Sequence, residues 1–213
     1  MIDILEKQEK LELLETKEDI MLELIKRLDT WLKTNRREYY DKLLPGALPQ
    51  DFKRLESTIG VTMPESFKQL YRWRNGQPRT CFTAFQFNRS LMNLDAIITD
   101  WQVIEGVKEE FKDESWWNSK WIPFLDNGGG DHICIDMNDS KPGRLITYWR
   151  DWDDRSINYP SLEKWLEIFV DSLENNMWED LDGDFHPSND ARWEAFLKET
   201  IPGYPIKYSS GKE

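Results

Sequence analysis

The sequence predicts an α+β fold in which a mostly antiparallel sheet of about four to six strands is flanked by helices. Apolar residues first recur at helical spacing, whereas later runs of five to eight residues are typical of strands. Short turns join the later strands, which favours antiparallel pairing. Helices segregated from such strands are typical of the α+β class, here with a long N-terminal helix and a C-terminal helical appendage.

A long amphipathic helix is predicted near the N-terminus. Residues 16–19 resemble a capping box, in which Thr16 and Asp19 satisfy free backbone amides at the start of a helix. Apolar side chains then recur at helical spacing and form one stripe, made of Ile20, Met21, Leu24, Ile25, Leu28, Trp31 and Leu32. The first 15 residues are charged and helix-prone, and we interpret them as a frayed arm.

Five further helices are predicted from residues that mark helix ends. Pro49 and Pro64 suit the first turns of a second and a third helix. Gly60 suits a left-handed end for the second helix, and the Asn75-Gly76 pair ends the third. The other three helices begin at polar residues that can cap free amides, namely Asn93 or Asp95, Ser161 and Asn189.

Strands are predicted over residues 80–87, 121–125, 132–136 and 143–149, with a short edge strand at Leu91-Met92. Residues 177–187 are acidic and lack periodicity, so no regular element is predicted there. We divide the chain into an N-terminal helical extension (1–43), an α+β domain (44–174) and an acidic C-terminal appendage (175–213). The appendage should fold back on the core because its aromatic residues need burial.

The net charge of −12 is concentrated late in the chain. Between Arg150 and Asp190 there are twelve acidic and three basic residues. Such a surface repels phosphates, so neither nucleic acid nor an anionic membrane is expected as a partner. A basic protein would be attracted, mainly through faster association. The alternative is a solvated acidic face that keeps the chain soluble.

The sequence favours a cytoplasmic protein. No run approaches the 18 apolar residues of a membrane span, and the N-terminus has no basic region followed by an apolar stretch. Cys81 and Cys134 lie among apolar residues of predicted strands, as expected for two reduced, buried thiols. A disulfide or a catalytic pair is the alternative.

No catalytic, metal or cofactor site is predicted. The glycine turn at residues 128–130 precedes a strand, whereas a phosphate-binding loop precedes a helix. His132 and Cys134 share one face of a strand, but no other Cys or His lies nearby to complete a zinc site. Asp126 and Asp131 flank the turn and could bind a cation weakly, although side chains bonding to turn backbone explain them as well.

Three stretches together resemble the SUKH superfamily, which includes the Smi/Knr cell-wall-assembly regulators. They are Leu48-Pro49 to Gly60, Met63-Pro64 to Asn75-Gly76, and the strand Trp121-Ile122-Pro123-Phe124 with the glycine turn and strand behind it. The resemblance covers roughly residues 44–173. It implies that the shared residues determine the fold rather than contact a partner: Pro64, Leu70, Asn75, Gly76, Trp121, Pro123, Gly129, Gly130, Asp131 and Asp136.

The resemblance implies a non-enzymatic protein-binding domain. Bacterial members are associated with immunity against toxins, and an acidic surface would complement the basic cleft of a nuclease toxin. Fungal members imply the alternative of a regulatory scaffold for cell-wall assembly. A hydrolase using Asp131 or Asp136 is a third hypothesis. The candidate contacts for a protein partner are Trp149, Asp151, Trp152, Asp153, Asp154, Glu179, Asp180, Asp182 and Asp184.

Overall fold

The computed structural model describes residues 2–110, 116–138, 142–152 and 155–207, with only the backbone of residues 2–18, 109 and 207. Seven α-helices and a short 3-10 helix at Lys108–Glu110 lie in this part of the chain. The α-helices are α1 (Ile2–Asn35), α2 (Arg37–Tyr40), α3 (Pro49–Ile59), α4 (Glu65–Trp73), α5 (Leu94–Val107), α6 (Leu162–Glu174) and α7 (Asp190–Thr200). Among the described helices, none is both long and apolar enough to cross a membrane.

Two sheets accompany the helices and confirm the predicted α+β class. The strands are β1 (Ser90–Leu91), β2 (Trp121–Asp126), β3 (His132–Asp136), β4 (Arg144–Tyr148), β5 (Ser156–Tyr159), β6 (Trp178–Leu181), β7 (Asp184–Pro187) and β8 (Ile206–Lys207). The six-stranded sheet has the order β1-β2-β3-β4-β5-β8, and every neighbouring pair is antiparallel. Strands β6 and β7 form a separate hairpin.

Both faces of the large sheet are buried. On one face, residues such as Phe124, Ile135 and Leu145 join a large apolar cluster with the inward sides of α1, α4 and α6. On the other face, Cys134 and Ile146 join a smaller cluster, which also contains Ile104, Trp116, Trp117 and Tyr148. Strand β3 is therefore buried at every position, which explains its continuous apolar character.

Most helix ends lie where the sequence predicts them. Gly60 adopts the left-handed conformation after α3, and the side chains of Asn93, Ser161 and Asn189 accept backbone amides at the starts of α5, α6 and α7. Helix α1 differs from its prediction. It begins at Ile2, so the capping residues at 16–19 lie inside the helix.

The prediction of a strand over residues 80–87 is wrong. This segment is irregular and forms only isolated bridges, at Gln86 and Phe87. Phe87 has a positive φ of 57°, which a continuous strand cannot accommodate. The alternation of aromatic residues there arises because Phe85 packs inward while Phe82 lies in solvent.

Residues 177–187, predicted to be irregular, contain the β6–β7 hairpin. Its turn is Asp182-Gly183, and both residues have positive φ. Asp-Gly is a common pair at such turns, and this was the available sequence signal for the hairpin. The acidic composition of the two flanking strands obscured this turn signal. Strands β5 and β8 were also not predicted.

A buried arginine holds the β6–β7 hairpin against the body. The Arg36 guanidinium donates to both carboxylate oxygens of Asp180, at 2.6 and 3.2 Å, and to the carbonyl oxygen of Ala84 at 3.1 Å. It also lies over the rings of Phe185 and Tyr39, at 3.9 and 4.7 Å from their centroids. We call this group of contacts the Arg36 clamp. It joins the end of α1, the irregular segment at residues 80–87 and the β6–β7 hairpin.

Asp29 joins three helices through its carboxylate. It accepts hydrogen bonds from Tyr40 Oη at 2.6 Å, Trp73 Nε1 at 2.8 Å and Lys33 Nζ at 2.6 Å. Burial raises the pKa of Asp29, but hydrogen bonds from these three donors outweigh it, so the pKa lies below its usual value of 3.8. The charged form is therefore the one that the fold stabilises.

The Asn75-Gly76 pair links α4 to the start of α5. The Asn75 side chain accepts the Leu94 amide at 3.0 Å, and the Gly76 carbonyl accepts the Leu44 amide at 2.9 Å. Gly76 has a φ of +63°, and a Cβ there would lie 2.4 Å from the carbonyl oxygen of Met92. Only glycine fits this position.

We predict that Gly76→Ala is far more destabilising than Gly60→Ala. Both glycines have positive φ, which costs about 1–2 kcal/mol for alanine. A Cβ at Gly60 would meet nothing within 4 Å, whereas at Gly76 it would overlap backbone atoms. The overlap should add at least ~2 kcal/mol. Urea unfolding of the two variants measures the difference, and equal losses would contradict the prediction.

We predict that Asp180→Ala lowers the free energy of unfolding by about 1–3 kcal/mol, because the buried Arg36 guanidinium loses its carboxylate. Glu179→Ala is the matched control, since Glu179 is an exposed neighbour on β6 and forms no ion pair with any described residue. That variant should stay within ~0.5 kcal/mol of the original. Hydrogen exchange at the β6–β7 amides should accelerate for Asp180→Ala alone.

We predict that Asp29→Asn lowers stability by about 1–2 kcal/mol at neutral pH. The contribution of a carboxylate with a lowered pKa is fully present above its unfolded value, 3.8, and is lost as pH falls through the folded value. The difference from the original protein should therefore shrink below pH 3.8. Asp19→Asn, at an exposed position, is the control. A difference that is constant with pH would contradict the electrostatic explanation.

Candidate functional site

A groove of about 340 Å³ opens between the irregular segment, the turn after β2 and the start of β7. We call it the hairpin groove. Fourteen residues line it, among them Arg79, Phe82, Asn88, Ser90, Asp126, Asn127, Gly128 and Asp184. Three parts of the chain that are distant in sequence thus form one concave surface.

The backbone on either side of Phe82 is held firmly although the side chain is exposed. The Gln77 side-chain amide donates to the carbonyl oxygens of Cys81 and Thr83, at 2.8 and 3.0 Å. The Ala84 amide donates to the carbonyl oxygen of Gly183 at 2.7 Å. The Phe82 side chain is nevertheless 88% exposed. A large apolar side chain on a fixed backbone, beside a groove, is typical of an anchor in a protein interface.

The predicted acidic contacts of the β6–β7 hairpin have different roles in the structure. Asp180 belongs to the Arg36 clamp, and Asp184 lies 3.4 Å from the ring of His186 and lines the groove. Glu179 and Asp182 are exposed and form no ion pair with a described residue. Of the predicted acidic contacts on this hairpin, Glu179, Asp182 and Asp184 are therefore the ones that do not bind the buried arginine.

The predicted contacts of the β4–β5 loop lie on a separate surface. The Trp149 ring packs against the Arg89 guanidinium at 5.5 Å, Asp151 pairs with Arg150 at 3.2 Å, and Trp152 is 71% exposed. Asp153 and Asp154 lie outside the described residues. Arg89 connects this loop to the groove, since its neighbours Asn88 and Ser90 line the groove.

The two carboxylates of the family motif, Asp131 and Asp136, form contacts within the protein. Asp136 is fully buried, pairs with Arg144 at 2.7 Å and accepts the side-chain amide of Asn138 at 2.6 Å. Asp131 accepts the Arg150 backbone amide at 3.0 Å and the Asn127 side-chain amide at 2.9 Å. Neither arrangement resembles an acid–base pair facing a substrate, so the geometry gives no support to the hydrolase hypothesis.

The other motif residues occupy structural positions. Pro64 precedes the first turn of α4, and Leu70 is fully buried on that helix. Trp121 and Pro123 lie on β2, where a register shift follows Pro123, which has no amide to donate. Gly129 and Gly130 belong to the turn between β2 and β3, and Gly130 has a φ of +94°.

A polar cluster that the sequence analysis did not assemble lies behind the groove. Helix α5 brings Asp100 to His132 of β3 and Asp126 of β2. The Nε2 atom of His132 is 3.5 Å from Asp100 Oδ2 and 3.7 Å from Asp126 Oδ1. Burial raises the pKa of Asp100, but its interactions with His132 and Arg79 outweigh this and lower the pKa below its usual range.

Cys134 is not part of this cluster. It is fully buried in the smaller apolar cluster, and burial raises the pKa of its thiol well above the usual range. No sequence signal pointed to Asp100, because it lies 26 positions before Asp126 on an amphipathic helix. Its proximity depends on how α5 packs across the sheet.

Known proteins provide a comparison for this fold. The model of the SMI1/KNR4 family (SUKH-1) matches residues 46–168. The chain is 19% identical to a glucan synthesis regulatory protein of Neurospora crassa, over 71% of this chain and 38% of that protein. It is 23% identical to the cell wall biosynthesis/cell cycle regulator smi1 of Schizosaccharomyces pombe, over 72% of this chain and 36% of that protein.

A KNR4/SMI1 homolog 2 of Debaryomyces hansenii is 22% identical, over 70% of this chain and 34% of that protein. The matched region thus spans little more than a third of each relative. The family model, in contrast, covers more than half of the chain, including β1 to β5 and the start of α6. The chain belongs to the SMI1/KNR4 family (SUKH-1).

Proposed function

We propose that the chain is a non-catalytic module that docks a positively charged protein at the hairpin groove. The observation that carries this proposal is the position of exposed Phe82 beside a groove that Asp126 and Asp184 line. Burying a phenylalanine side chain contributes about 1.5–3 kcal/mol. The nearby carboxylates would guide a basic partner and fix its orientation.

The groove is suited to a basic side chain at the centre of an interface. A lysine or arginine could lay its apolar stem along Phe82 and direct its charge to Asp184. Glu179 and Asp182 lie on the same hairpin and would attract surrounding basic residues. In this proposal the β4–β5 loop, with exposed Trp152, forms a secondary contact.

Regulation of cell-wall synthesis is the biological role that we favour for this docking. The names of the relatives support it, since two of them are called regulators of glucan synthesis or of cell wall biosynthesis. We propose that this regulation acts through the binding of other proteins at the hairpin groove. We also propose a cytoplasmic location, which two buried, free cysteines support.

Toxin immunity is the second candidate. The observation in its favour is the pair of exposed carboxylates, Glu179 and Asp182, on the β6–β7 hairpin, which would complement a basic nuclease cleft. The two roles differ in their genetics. An immunity gene lies beside a toxin gene and protects cells that express that toxin, whereas loss of a wall regulator sensitises cells to wall-disrupting agents.

We predict that neutralising the hairpin weakens partner binding by about 10- to 100-fold at low salt. The variant combines Glu179→Gln, Asp182→Asn and Asp184→Asn, and a second variant is Phe82→Ala. A photo-crosslinker at residue 82 identifies the protein that contacts the groove, and titration of that purified protein gives the affinity. Raising the salt concentration should slow association for the original chain more than for the neutralised one.

The matched control removes three exposed carboxylates that do not line the groove: Asp19→Asn, Glu23→Gln and Glu199→Gln. It has the same change in net charge and should bind within about twofold of the original chain. Equal weakening by the control would show that net charge acts without a docking surface. An acidic crosslinked partner, or unchanged affinity in Phe82→Ala, would refute the proposal.

A further inference from the structure

We propose that Asp100, Asp126 and His132 form a binding site for a zinc ion. The three residues come from α5, β2 and β3, and one ligand atom from each lies within 4.8 Å of the others. Two carboxylates and one imidazole are ordinary zinc ligands, and three protein ligands leave one position of a tetrahedral ion open. Asp126 also lines the hairpin groove, so the two proposals share this one side chain, while Phe82 and Asp184 belong to the docking proposal alone.

The His132 ring is the strongest observation for a bound ion. Its side chain is 4% exposed, and neither ring nitrogen has a hydrogen-bond partner among the residues described. An imidazole buried in this way is costly unless something satisfies it. Its Nε2 atom nevertheless faces two carboxylate oxygens.

The distances fit ligands of one ion better than hydrogen bonds. Hydrogen bonds between nitrogen and oxygen have lengths of about 2.7–3.2 Å. The Nε2 atom of His132 is 3.5 and 3.7 Å from the two oxygens. In a tetrahedral zinc site with bonds of about 2.0–2.1 Å, neighbouring ligand atoms are separated by roughly 3.4 Å. The two distances from the Nε2 atom are therefore close to the separation expected between two ligands of one zinc ion.

Both carboxylates are already oriented by groups behind them. Asp100 pairs with Arg79 through Oδ1, which leaves Oδ2 directed at His132. Asp126 Oδ1 accepts the Gly128 amide at 2.9 Å and keeps a second lone pair for a cation. Such supporting contacts are typical of metal ligands because they hold the carboxylate in place before the ion arrives.

The competing explanation is a protonated His132 held between the two carboxylates. That arrangement would neutralise part of the acidic charge without an ion. The two explanations differ in their response to zinc, since an imidazolium cannot coordinate a metal. A direct titration therefore separates them.

The experiment titrates Zn²⁺ alone into the full chain after treatment with a chelator, in competition with a chromophoric chelator. We expect one Zn²⁺ per chain and, with Co²⁺ as a substitute, the intense visible absorption of a four-coordinate ion. Asp126→Asn and His132→Asn should each weaken binding at least about tenfold. Zinc should raise the melting temperature of the original chain and not that of Asp126→Asn.

Two variants are matched controls. Asp131→Asn removes a carboxylate of the same turn that is directed at Arg150 and Asn127, and His186→Asn removes the other histidine, which lies near Asp184. Both should bind zinc with unchanged affinity. If His132→Asn does not fold, Asp126→Asn still tests the site, because Asp126 is partly exposed.

Three results would overturn the proposal. They are a dissociation constant weaker than ~1 mM for the original chain, unchanged affinity in Asp126→Asn, and loss of binding in His186→Asn. The first result would favour the imidazolium between two carboxylates. The third would assign zinc to the surface pair of His186 and Asp184.

Discussion

The buried guanidinium of Arg36 is the interaction on which the candidate site depends. A buried charge must be paired and hydrogen-bonded, because otherwise its desolvation would destabilise the fold. Arg36 meets this requirement with a carbonyl oxygen of the irregular segment and a carboxylate of the hairpin. Two of the three parts of the chain that form the hairpin groove are therefore held together by one side chain, which directly follows α1.

Ion pairs such as this one also show that part of the acidic charge stabilises the fold and is not available to a partner. Part of that charge holds helices and strands together, since Asp180 binds Arg36, and Asp171 and Glu174 bind Arg27 of α1. On the β6–β7 hairpin, Glu179 and Asp182 remain exposed and form no ion pair with a described residue. An acidic tract in the sequence is thus divided into structural and accessible groups, and only the accessible groups can meet a partner.

The family region and the candidate docking surface overlap only in part. The matched residues 46–168 contain strands β1 to β5 of the large sheet, Phe82 and the cluster of Asp100, Asp126 and His132. Arg36, which directly follows α1, and the β6–β7 hairpin, which contributes Asp184 to the groove, lie outside that region. The proposed zinc site consequently lies within the matched region, whereas the proposed docking surface also uses segments outside it.

Local signals in the sequence determined most helix ends, the strands β2 to β4 and the α+β class, because capping residues, turns and apolar periodicity act over a few positions. Only the tertiary structure decided that residues 80–87 are irregular, that the acidic stretch contains a hairpin and that Asp100 meets His132. These features depend on groups distant in the chain: the Arg36 clamp positions the hairpin, and the packing of α5 positions Asp100. Local sequence patterns cannot predict such contacts. The energy of a buried polar group depends on the partner that the fold places beside it, and that partner can be distant in the sequence.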